Sequence, residues 1–151
     1  MSNKINIKNK KASFEYELLE KFIAGIILAG TEIKSIRSNK ANISDAHCVF
    51  IKKELFIKNL HISEYKSAGN TNHKPKRDRK LLLNRIELKK IESKVKEKGN
   101  TIIPIRLFIN DKGKAKLEIS LAKGKKIHDK RESIKEKELK IKIQKLKKLN
   151  E

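Results

Sequence analysis

The sequence predicts a mainly β protein: an OB-like antiparallel barrel of about six strands, with a few short helices and a basic C-terminal tail. Several segments alternate apolar and polar residues with the period of two that is typical of half-buried strands. Two pairs of these segments are joined by short turns, as in β-hairpins. Only two short stretches have helix-capping signals. Most of the core must therefore come from strands, as it does in a small closed barrel.

The N-terminal part is predicted to be an arm followed by strands. Residues 1–11 are polar and have no apolar period, so we expect a flexible arm. Residues 13–20 alternate between apolar and acidic side chains, as a half-buried strand does. Residues 22–28 form a second apolar run, in which Gly25 predicts a bend or bulge. The barrel is therefore expected to begin near residue 12 and to extend to residue 122.

Two short helices are predicted. Thr31 is expected to be the N-cap of the first helix, with Glu32 near the positive end of its dipole. Asn84 and Glu87 have the spacing of a capping box and predict a second helix that ends before Gly99.

Two hairpins are the clearest parts of the predicted barrel. Their strands are rich in β-branched and aromatic residues and cover residues 46–51, 55–60, 101–109 and 114–121. In the second hairpin, Gly113 can supply the positive φ that the turn needs. Pro104 cannot donate a ladder hydrogen bond, so it limits its strand to an edge or a bulge.

The charge is large and unevenly distributed. The chain of 151 residues has 39 Lys and Arg against 18 Asp and Glu, a formal net charge of +21. Residues 14–65 are neutral, whereas two regions, 66–98 and 123–151, hold most of the excess. A neutral body with two basic regions indicates a polyanionic partner, and RNA is the candidate that the sequence favours.

The first basic region begins with a predicted loop. Residues 65–80 contain Gly, Pro and many cations but no apolar period, and loops of this length are often functional. Arginine forks within it suit phosphate geometry, and the helix that follows adds backbone amides. Leu82 and Asn84 lie just beyond it, where they can equally serve as a core residue and an N-cap.

Catalysis, cofactors and a membrane location are not indicated. No apolar run approaches the ~18–20 residues that span a bilayer, and a single cysteine, Cys48, allows no internal disulfide. His47 and Cys48 are adjacent in a predicted strand, so their side chains should point to opposite faces. A nuclease or RNA-modifying enzyme using His61 or His73 remains an alternative, but neither has an evident carboxylate partner. No metal-ligand spacing or cofactor motif is present.

The second basic region is predicted to be a tail, residues 123–151. Leu139, Ile143, Leu146 and Leu149 recur at helical spacing among Lys and Glu. We expect this tail to be disordered when free and helical on a partner. His128 and Asp129 lie within its basic run, although a plain electrostatic tether needs neither residue.

Four segments together resemble the small protein B family, the tmRNA-binding (SsrA-binding) proteins of bacterial trans-translation. The segments are NKKASFEYELLEKF, AGTEIKSIRSNKANISDA, PKRDRKLLLN and LAKGKKIHDKRESIKEKE. They occur in order from about residue 9 to residue 138. The resemblance implies an OB-like barrel without catalytic activity that binds the tRNA-like domain of tmRNA. It also implies entry into a stalled 70S ribosome, with the tail helical in the empty mRNA channel near the small-subunit rRNA.

The resemblance carries residue roles to this chain. It implies RNA contacts by nine barrel residues: Lys34, Arg37, Arg77, Arg79, Lys80, Leu82, Asn84, Lys116 and Lys123. It implies a role at the decoding centre for seven tail residues: Gly124, Lys125, Lys126, His128, Asp129, Lys130 and Arg131. Further implied properties are a cytoplasmic monomer, no cofactor or metal, and an indirect association with elongation factor Tu on charged tmRNA. A general RNA-binding OB-fold or ribosomal protein without preference for tmRNA is the alternative.

The chain departs from the family pattern at one position. Members often have an acidic RNA-contacting residue before the Ala24-Gly25 pair, where this chain has Ile23. Either that contact is lost, or Glu20 or Glu32 takes its place.

Overall fold

The computed structural model describes residues 5–97, 99–124 and 138–144. Nine strands are present in this part of the chain: β1 (Asn6–Lys8), β2 (Tyr16–Ile26), β3 (Ala41–Asn42), β4 (His47–Ile51), β5 (Glu54–Lys58), β6 (His61–Ile62), β7 (Arg79–Leu82), β8 (Asn100–Ile109) and β9 (Ala115–Gly124). The helices are α1 (Ala12–Glu15), α2 (Gly30–Arg37) and α3 (Arg85–Val95), with a 3-10 segment at Lys66–Thr71. Residues 138–144 are also helical. Because strands dominate, the predicted fold class is confirmed.

Six of the strands close a barrel. The main sheet runs β1-β8-β4-β5-β7-β2-β9, and β9 pairs again with β8, which completes the ring. Every pairing is antiparallel, and β1 adds to the end of β8 that β4 does not cover. β3 and β6 form a separate small ladder. The number of strands agrees with the prediction, but their identity does not. The sequence predicts two strands between residues 13 and 28, where the structure has the single strand β2, and it predicts a loop where β7 begins.

The barrel interior is filled by aliphatic side chains. Its buried members come from all six strands of the ring and from α2 and α3, and the fully buried ones include Ala24, Ile36, Leu55, Ile57, Ile91, Leu107, Leu117 and Ile119. Burial at about 25 cal/mol per Å² makes this set the main stabilising term. A smaller cluster of Ala12, Ile103 and Ala122 lies under α1. The described residues contain no helix with the length and apolar character that crossing a bilayer requires.

The second hairpin and α3 follow the sequence predictions closely. The β8–β9 register shifts between Pro104 and Arg106, as expected where a proline interrupts the ladder. Gly113 has φ 79° in the turn between β8 and β9. Asn84 caps α3, and Gly99 adopts φ 84° shortly after its end.

Several predicted boundaries are wrong. Residues 13–15 belong to α1 rather than to a strand, and β2 runs through Gly25 with its irregularity between Leu18 and Glu20. Part of the predicted flexible arm, Asn6–Lys8, pairs with β8, which offers it an otherwise open edge. The barrel also extends two residues further than predicted, since β9 ends at Gly124.

Thr31 is not the N-cap of α2. Ala29 occupies that position, and its N–H donates to Glu32 Oε1 at 2.8 Å. Thr31 instead lies in the first turn, where its hydroxyl bonds His73 Nδ1 at 2.9 Å.

Candidate RNA-binding surface

Three strands bring the predicted contacts Leu82 and Lys116 to either side of Gly25. In the sheet register, Gly25 of β2 is opposite Lys116 of β9 and opposite Leu82 of β7. A Cβ atom on Gly25 would lie 3.3 Å from Leu82 Cβ and 3.7 Å from Lys116 Nζ. The glycine therefore keeps a shallow depression open between an apolar and a cationic side chain. We call Lys116, Gly25 and Leu82 the barrel row.

Further apolar side chains are exposed on the chain segments next to the barrel row. Leu82 is 50% exposed, and Ile23 and Ile27 are each 47% exposed on the neighbouring part of β2 and just after it. Ile86, at the start of α3, is 81% exposed. Several large apolar side chains left exposed near cations are typical of a binding surface, because a monomer gains nothing from leaving them in water.

Asn84 stands beside this surface at the start of α3. Its side-chain oxygen accepts a hydrogen bond from the Glu87 N–H at 2.8 Å, and Glu87 Oε1 accepts from the Asn84 N–H at 3.3 Å. The capping box thus uses the amide oxygen of Asn84. The amide NH₂ group of this exposed residue carries two donors that can serve a partner.

The basic side chains of the preceding segment separate into two kinds. In β7, Lys80 and Leu82 face outward while Arg79 and Leu81 face inward. Lys80 Nζ pairs with Glu54 Oε1 at 3.2 Å on the surface. Arg77, before β7, keeps 34% of its side-chain surface exposed while its Nε donates to Glu32 Oε1 at 3.0 Å. Arg77 and Lys80 are therefore accessible to a polyanion.

Arg79 is a correction to the prediction of a direct RNA contact. Its relative exposure is 0%, and it forms an ion pair with the equally buried Glu32. Its guanidinium also donates to the carbonyl oxygens of Leu60 at 2.7 Å and Pro75 at 3.0 Å. Burial lowers the pKa of Arg79, and the nearby Glu32 carboxylate opposes that shift. A side chain with no accessible surface cannot contact a partner, so Arg79 acts within the fold.

Glu32 is likewise excluded as a substitute for the missing acidic contact at Ile23. Its carboxylate has no exposed surface. Burial opposes its ionisation, but hydrogen bonds from Arg77, the Ala29 N–H and Arg79 outweigh that cost and hold its pKa below the ordinary value.

Glu20, the other candidate, is accessible. It pairs with Lys90 through a contact of 2.7 Å on the barrel surface, and 41% of its side chain is exposed. Of the two carboxylates considered as substitutes, only that of Glu20 can reach a partner. Glu20 is therefore the one of these two candidates that stays open for an acidic contact.

The remaining predicted barrel contacts lie elsewhere. Lys34 and Arg37 are exposed on α2, with Lys34 Nζ 5.3 Å from the centre of the Tyr65 ring. Lys123 is exposed near the end of β9, seven residues from Lys116, which is about 23 Å along an extended strand. The structure therefore does not join Lys123 to the barrel row.

The tail residues are mostly outside the described part of the chain. Gly124 is the last residue of β9 and is exposed. Lys125, Lys126, His128, Asp129, Lys130 and Arg131 fall in residues 125–137, outside the described residues. In the helix at residues 138–144, Leu139 and Ile143 are exposed at the spacing of one helical face.

The residues considered for catalysis do not converge. Cys48 is buried and His47 is partly exposed on the other face of β4, and burial strongly raises the pKa of the Cys48 thiol. His73 is held between Thr31 and the Ile62 carbonyl, the latter at 2.8 Å. His61 lines a small cleft with Asp45 and Lys76, without a hydrogen bond to either. Among residues 5–97, 99–124 and 138–144, no group of His, Cys, Asp and Glu could hold a metal ion.

The sequence interpretation is wrong for Gly25 and does not identify Arg106. The sequence predicts a bend at Gly25, whereas the residue leaves space between Leu82 and Lys116. Phe108 is the register partner of Lys116 on β8, and the Arg106 guanidinium lies 4.0 Å from its ring centre. Alternation alone cannot reveal such neighbours, because it gives the face of each strand but not which strands pair.

The comparisons with known proteins decide the family. The family model described as SmpB protein matches residues 6–149. This chain belongs to the SmpB family. It is 58% identical over 148 residues to the SsrA-binding protein of Christiangramia forsetii, covering 98% of this chain and 94% of that relative. It is 59% identical over 134 residues to the SsrA-binding protein of Bacteroides thetaiotaomicron, covering 89% of each chain.

A solved structure agrees with the fold. A chain from a structure described as "tmRNA-SmpB: a journey to the center of the bacterial ribosome" superposes with a TM-score of 0.71. It is 38% identical and the match covers 86% of this chain and 94% of that chain. The SmpB resemblance inferred from the sequence is thereby confirmed.

Proposed function

We propose that this chain binds the tRNA-like domain of tmRNA through the barrel row and Asn84, and that it does so without catalysis. The observation that supports this proposal most directly is the structure of the barrel row. It combines a cation, an open glycine floor and an exposed leucine, drawn from three strands, next to a helix start that offers amide donors. Such a surface suits folded RNA, where phosphates meet Lys116 and riboses or bases meet the apolar floor. Arg77 and Lys80 add two accessible positive charges that can attract further phosphates.

The presence of two basic regions is consistent with binding to two partners, one after the other. The barrel would recognise the tRNA-like domain and deliver tmRNA to a ribosome stalled on a message without a stop codon. The tail would then occupy the empty mRNA channel against small-subunit rRNA. A cationic segment that becomes ordered only in an anionic channel loses its conformational entropy at that step and not before. The nascent peptide is then tagged for degradation and the ribosome is released.

The remaining partners follow from that sequence of events. Charged tmRNA would bring elongation factor Tu to the same complex without direct contact being required of this chain. We propose a monomer that acts in the cytoplasm, where ribosomes translate. No cofactor or metal is needed for this function.

Tagging tests the role of the tail separately from RNA binding. In a reconstituted translation system stalled on a message without a stop codon, Asp129→Ala and Lys130→Ala should each retain wild-type affinity for tmRNA. Both should lose most peptide tagging, because the tail acts only after tmRNA is bound. Tagging at the wild-type level in both variants would contradict the role given to the tail.

A further inference from the structure

A buried carboxylate joins α2 to the basic segment that precedes β7. Glu32 accepts from Arg77 through Oε1 and forms an ion pair with Arg79 through Oε2. Both Glu32 and Arg79 have 0% relative exposure. We call these three residues the carboxylate latch. A buried charge pair of this kind is costly to desolvate, and replacing it with apolar residues is often neutral or stabilising, so stability alone is a weak reason for its presence.

Arg79 uses the rest of its guanidinium to hold the backbone of the same segment. It donates to the carbonyl oxygens of Pro75 at 3.0 Å and Arg77 at 3.1 Å, and to that of Leu60 at 2.7 Å. The Ile62 N–H donates to Pro75 O at 3.0 Å, which docks the segment against β6. Residues 74–79 are thus fixed by side-chain and backbone bonds rather than by an apolar core.

We infer that Glu32 is a positioning residue for RNA binding: through the latch it holds residues 74–80 in the conformation that presents Arg77 and Lys80 beside Leu82. This inference rests on the proposed function, because the segment matters only if the barrel row binds RNA. The physical effect is preorganisation. A loop that is already ordered does not lose conformational freedom when RNA binds, so more of the contact energy appears as affinity.

Glu32→Gln gives opposite results under positioning and under simple electrostatics. The substitution removes one negative charge and raises the formal charge from +21 to +22. If charge alone governed affinity, the variant would bind polyanionic RNA more tightly. If Glu32 positions the segment, binding to the tRNA-like domain should weaken by about tenfold. Without Glu32 the segment has to become ordered when RNA binds, and the lost conformational entropy reduces the affinity. Its slope of log K against log salt should stay close to wild type, because no cation is removed.

Glu64→Gln is the matched control. It makes the same charge change at an exposed position just before the 3-10 segment. It should bind the tRNA-like domain as tightly as wild type or slightly more tightly. Both variants remove one negative charge, so a difference in their affinities reports the structural role of Glu32 and not the change in net charge.

Hydrogen exchange at the Ile62 amide provides an independent readout. This amide bonds Pro75 O, so its protection reports whether the segment is docked. Glu32→Gln should lower its protection by a larger factor than it lowers that of amides in the β8–β9 hairpin. If Glu32→Gln does not fold, Glu32→Asp serves instead. It keeps the net charge at +21 but shortens the reach to the two arginines, and Glu64→Asp is its control.

The outcomes separate the inference from the proposed function. Weaker binding of the Glu32 variant together with lower Ile62 protection supports the inference. Binding equal to or tighter than that of the Glu64 control, or weaker binding with unchanged Ile62 protection, overturns it. A wild-type protein that shows no preference for the tRNA-like domain over bulk tRNA overturns the proposed function instead. In that case the exchange data still support or overturn the docking of the segment by Glu32.

Discussion

Arg77, Arg79 and Lys80 are close in sequence but lie in three different environments. Arg79 is buried, Arg77 is about one-third exposed, and Lys80 reaches the surface to pair with Glu54. The strand period explains the contrast between Arg79 and Lys80, because adjacent side chains in β7 point to opposite faces. A run of basic residues is therefore not one phosphate-binding unit. Arg79 organises the fold, while Arg77 and Lys80 remain accessible.

At the residue scale, Glu32→Gln should also reduce stability in a pH-dependent way. Removing one partner of a buried pair leaves Arg79 uncompensated, and at neutral pH we expect a loss of about 3 kcal/mol in the free energy of unfolding. The pKa of Glu32 is held below its ordinary value of 4.5, so its stabilising contribution is present above that pH. The contribution is lost as the pH falls through the lower folded-state pKa.

Urea unfolding of wild type, Glu32→Gln and Glu64→Gln at several pH values measures this effect. The difference between wild type and Glu32→Gln should be largest near neutral pH and should shrink as the pH falls below the ordinary pKa of 4.5. Glu64→Gln should change the unfolding free energy by at most about 0.5 kcal/mol, as surface substitutions usually do. If the difference in unfolding free energy between wild type and Glu32→Gln is the same at all pH values, the stabilising role of the ionised Glu32 carboxylate is contradicted.

Gly25 gives the second prediction at this scale. Gly25→Ala would place a methyl group 3.3 Å from Leu82 Cβ and would fill the floor of the barrel row. We expect a roughly tenfold loss of affinity for the tRNA-like domain, about 1.4 kcal/mol. Gly30→Ala is the control, because a Cβ there meets nothing within 4 Å. Equal RNA affinities for the two alanine variants would show that the open floor is not needed.

At the scale of elements, α3 both stabilises the barrel and borders the candidate RNA-binding surface. Ile91 packs its inner face into the core with no exposed surface, while the helix start lies beside Leu82. The cap residue Asn84 therefore has two separable roles. Its oxygen closes the capping box, and its NH₂ group is available to a partner.

Two substitutions separate those roles. Asn84→Ser keeps a good N-cap, so the melting temperature should stay near that of wild type, whereas Asn84→Ala should cost about 1 kcal/mol. Both variants remove the NH₂ donors, so both should weaken binding to the tRNA-like domain. Thermal unfolding by circular dichroism and RNA titration measure the two effects. If Asn84→Ser binds as tightly as wild type, Asn84 is a cap only.

The elements that could be predicted are those with strong local signals. The β8–β9 hairpin has a long apolar alternation and a glycine turn, and α3 has its capping box. β7 could not be predicted because it is only four residues long and two of them are charged, so its strand character comes from its neighbours β5 and β2. The burial of Arg79 could not be predicted either, because it depends on a contact between residues that are distant in sequence. Its partner Glu32 is 47 residues away in sequence.

At the scale of the whole molecule, closure of the barrel assembles the candidate surface. Lys116 and Leu82 are 34 residues apart in sequence, and they meet across Gly25 only because β2 pairs with both β9 and β7. The family resemblance predicts both residues as RNA contacts, but it offers no physical reason for their association. The pairing of the strands supplies that reason, and the burial of Arg79 and Glu32 excludes those two residues from direct contact.

The net charge makes specificity the central question. A protein with a formal charge of +21 binds many polyanions through phosphate contacts, and such binding falls steeply with salt. The proposed function requires more than this, namely a surface that recognises one folded RNA. Affinity for RNA alone therefore does not test it, whereas preference between two folded RNAs does.

The most direct test is binding of the full chain to the tRNA-like domain of tmRNA across a salt series, with excess bulk tRNA as competitor. We predict that binding survives the competitor and that the preference persists as salt rises, because the apolar floor and the Asn84 donors do not depend on counterion release. If bulk tRNA displaces the tRNA-like domain in proportion to its concentration at every salt level, net charge accounts for the binding. Specific recognition by the barrel row would then be contradicted.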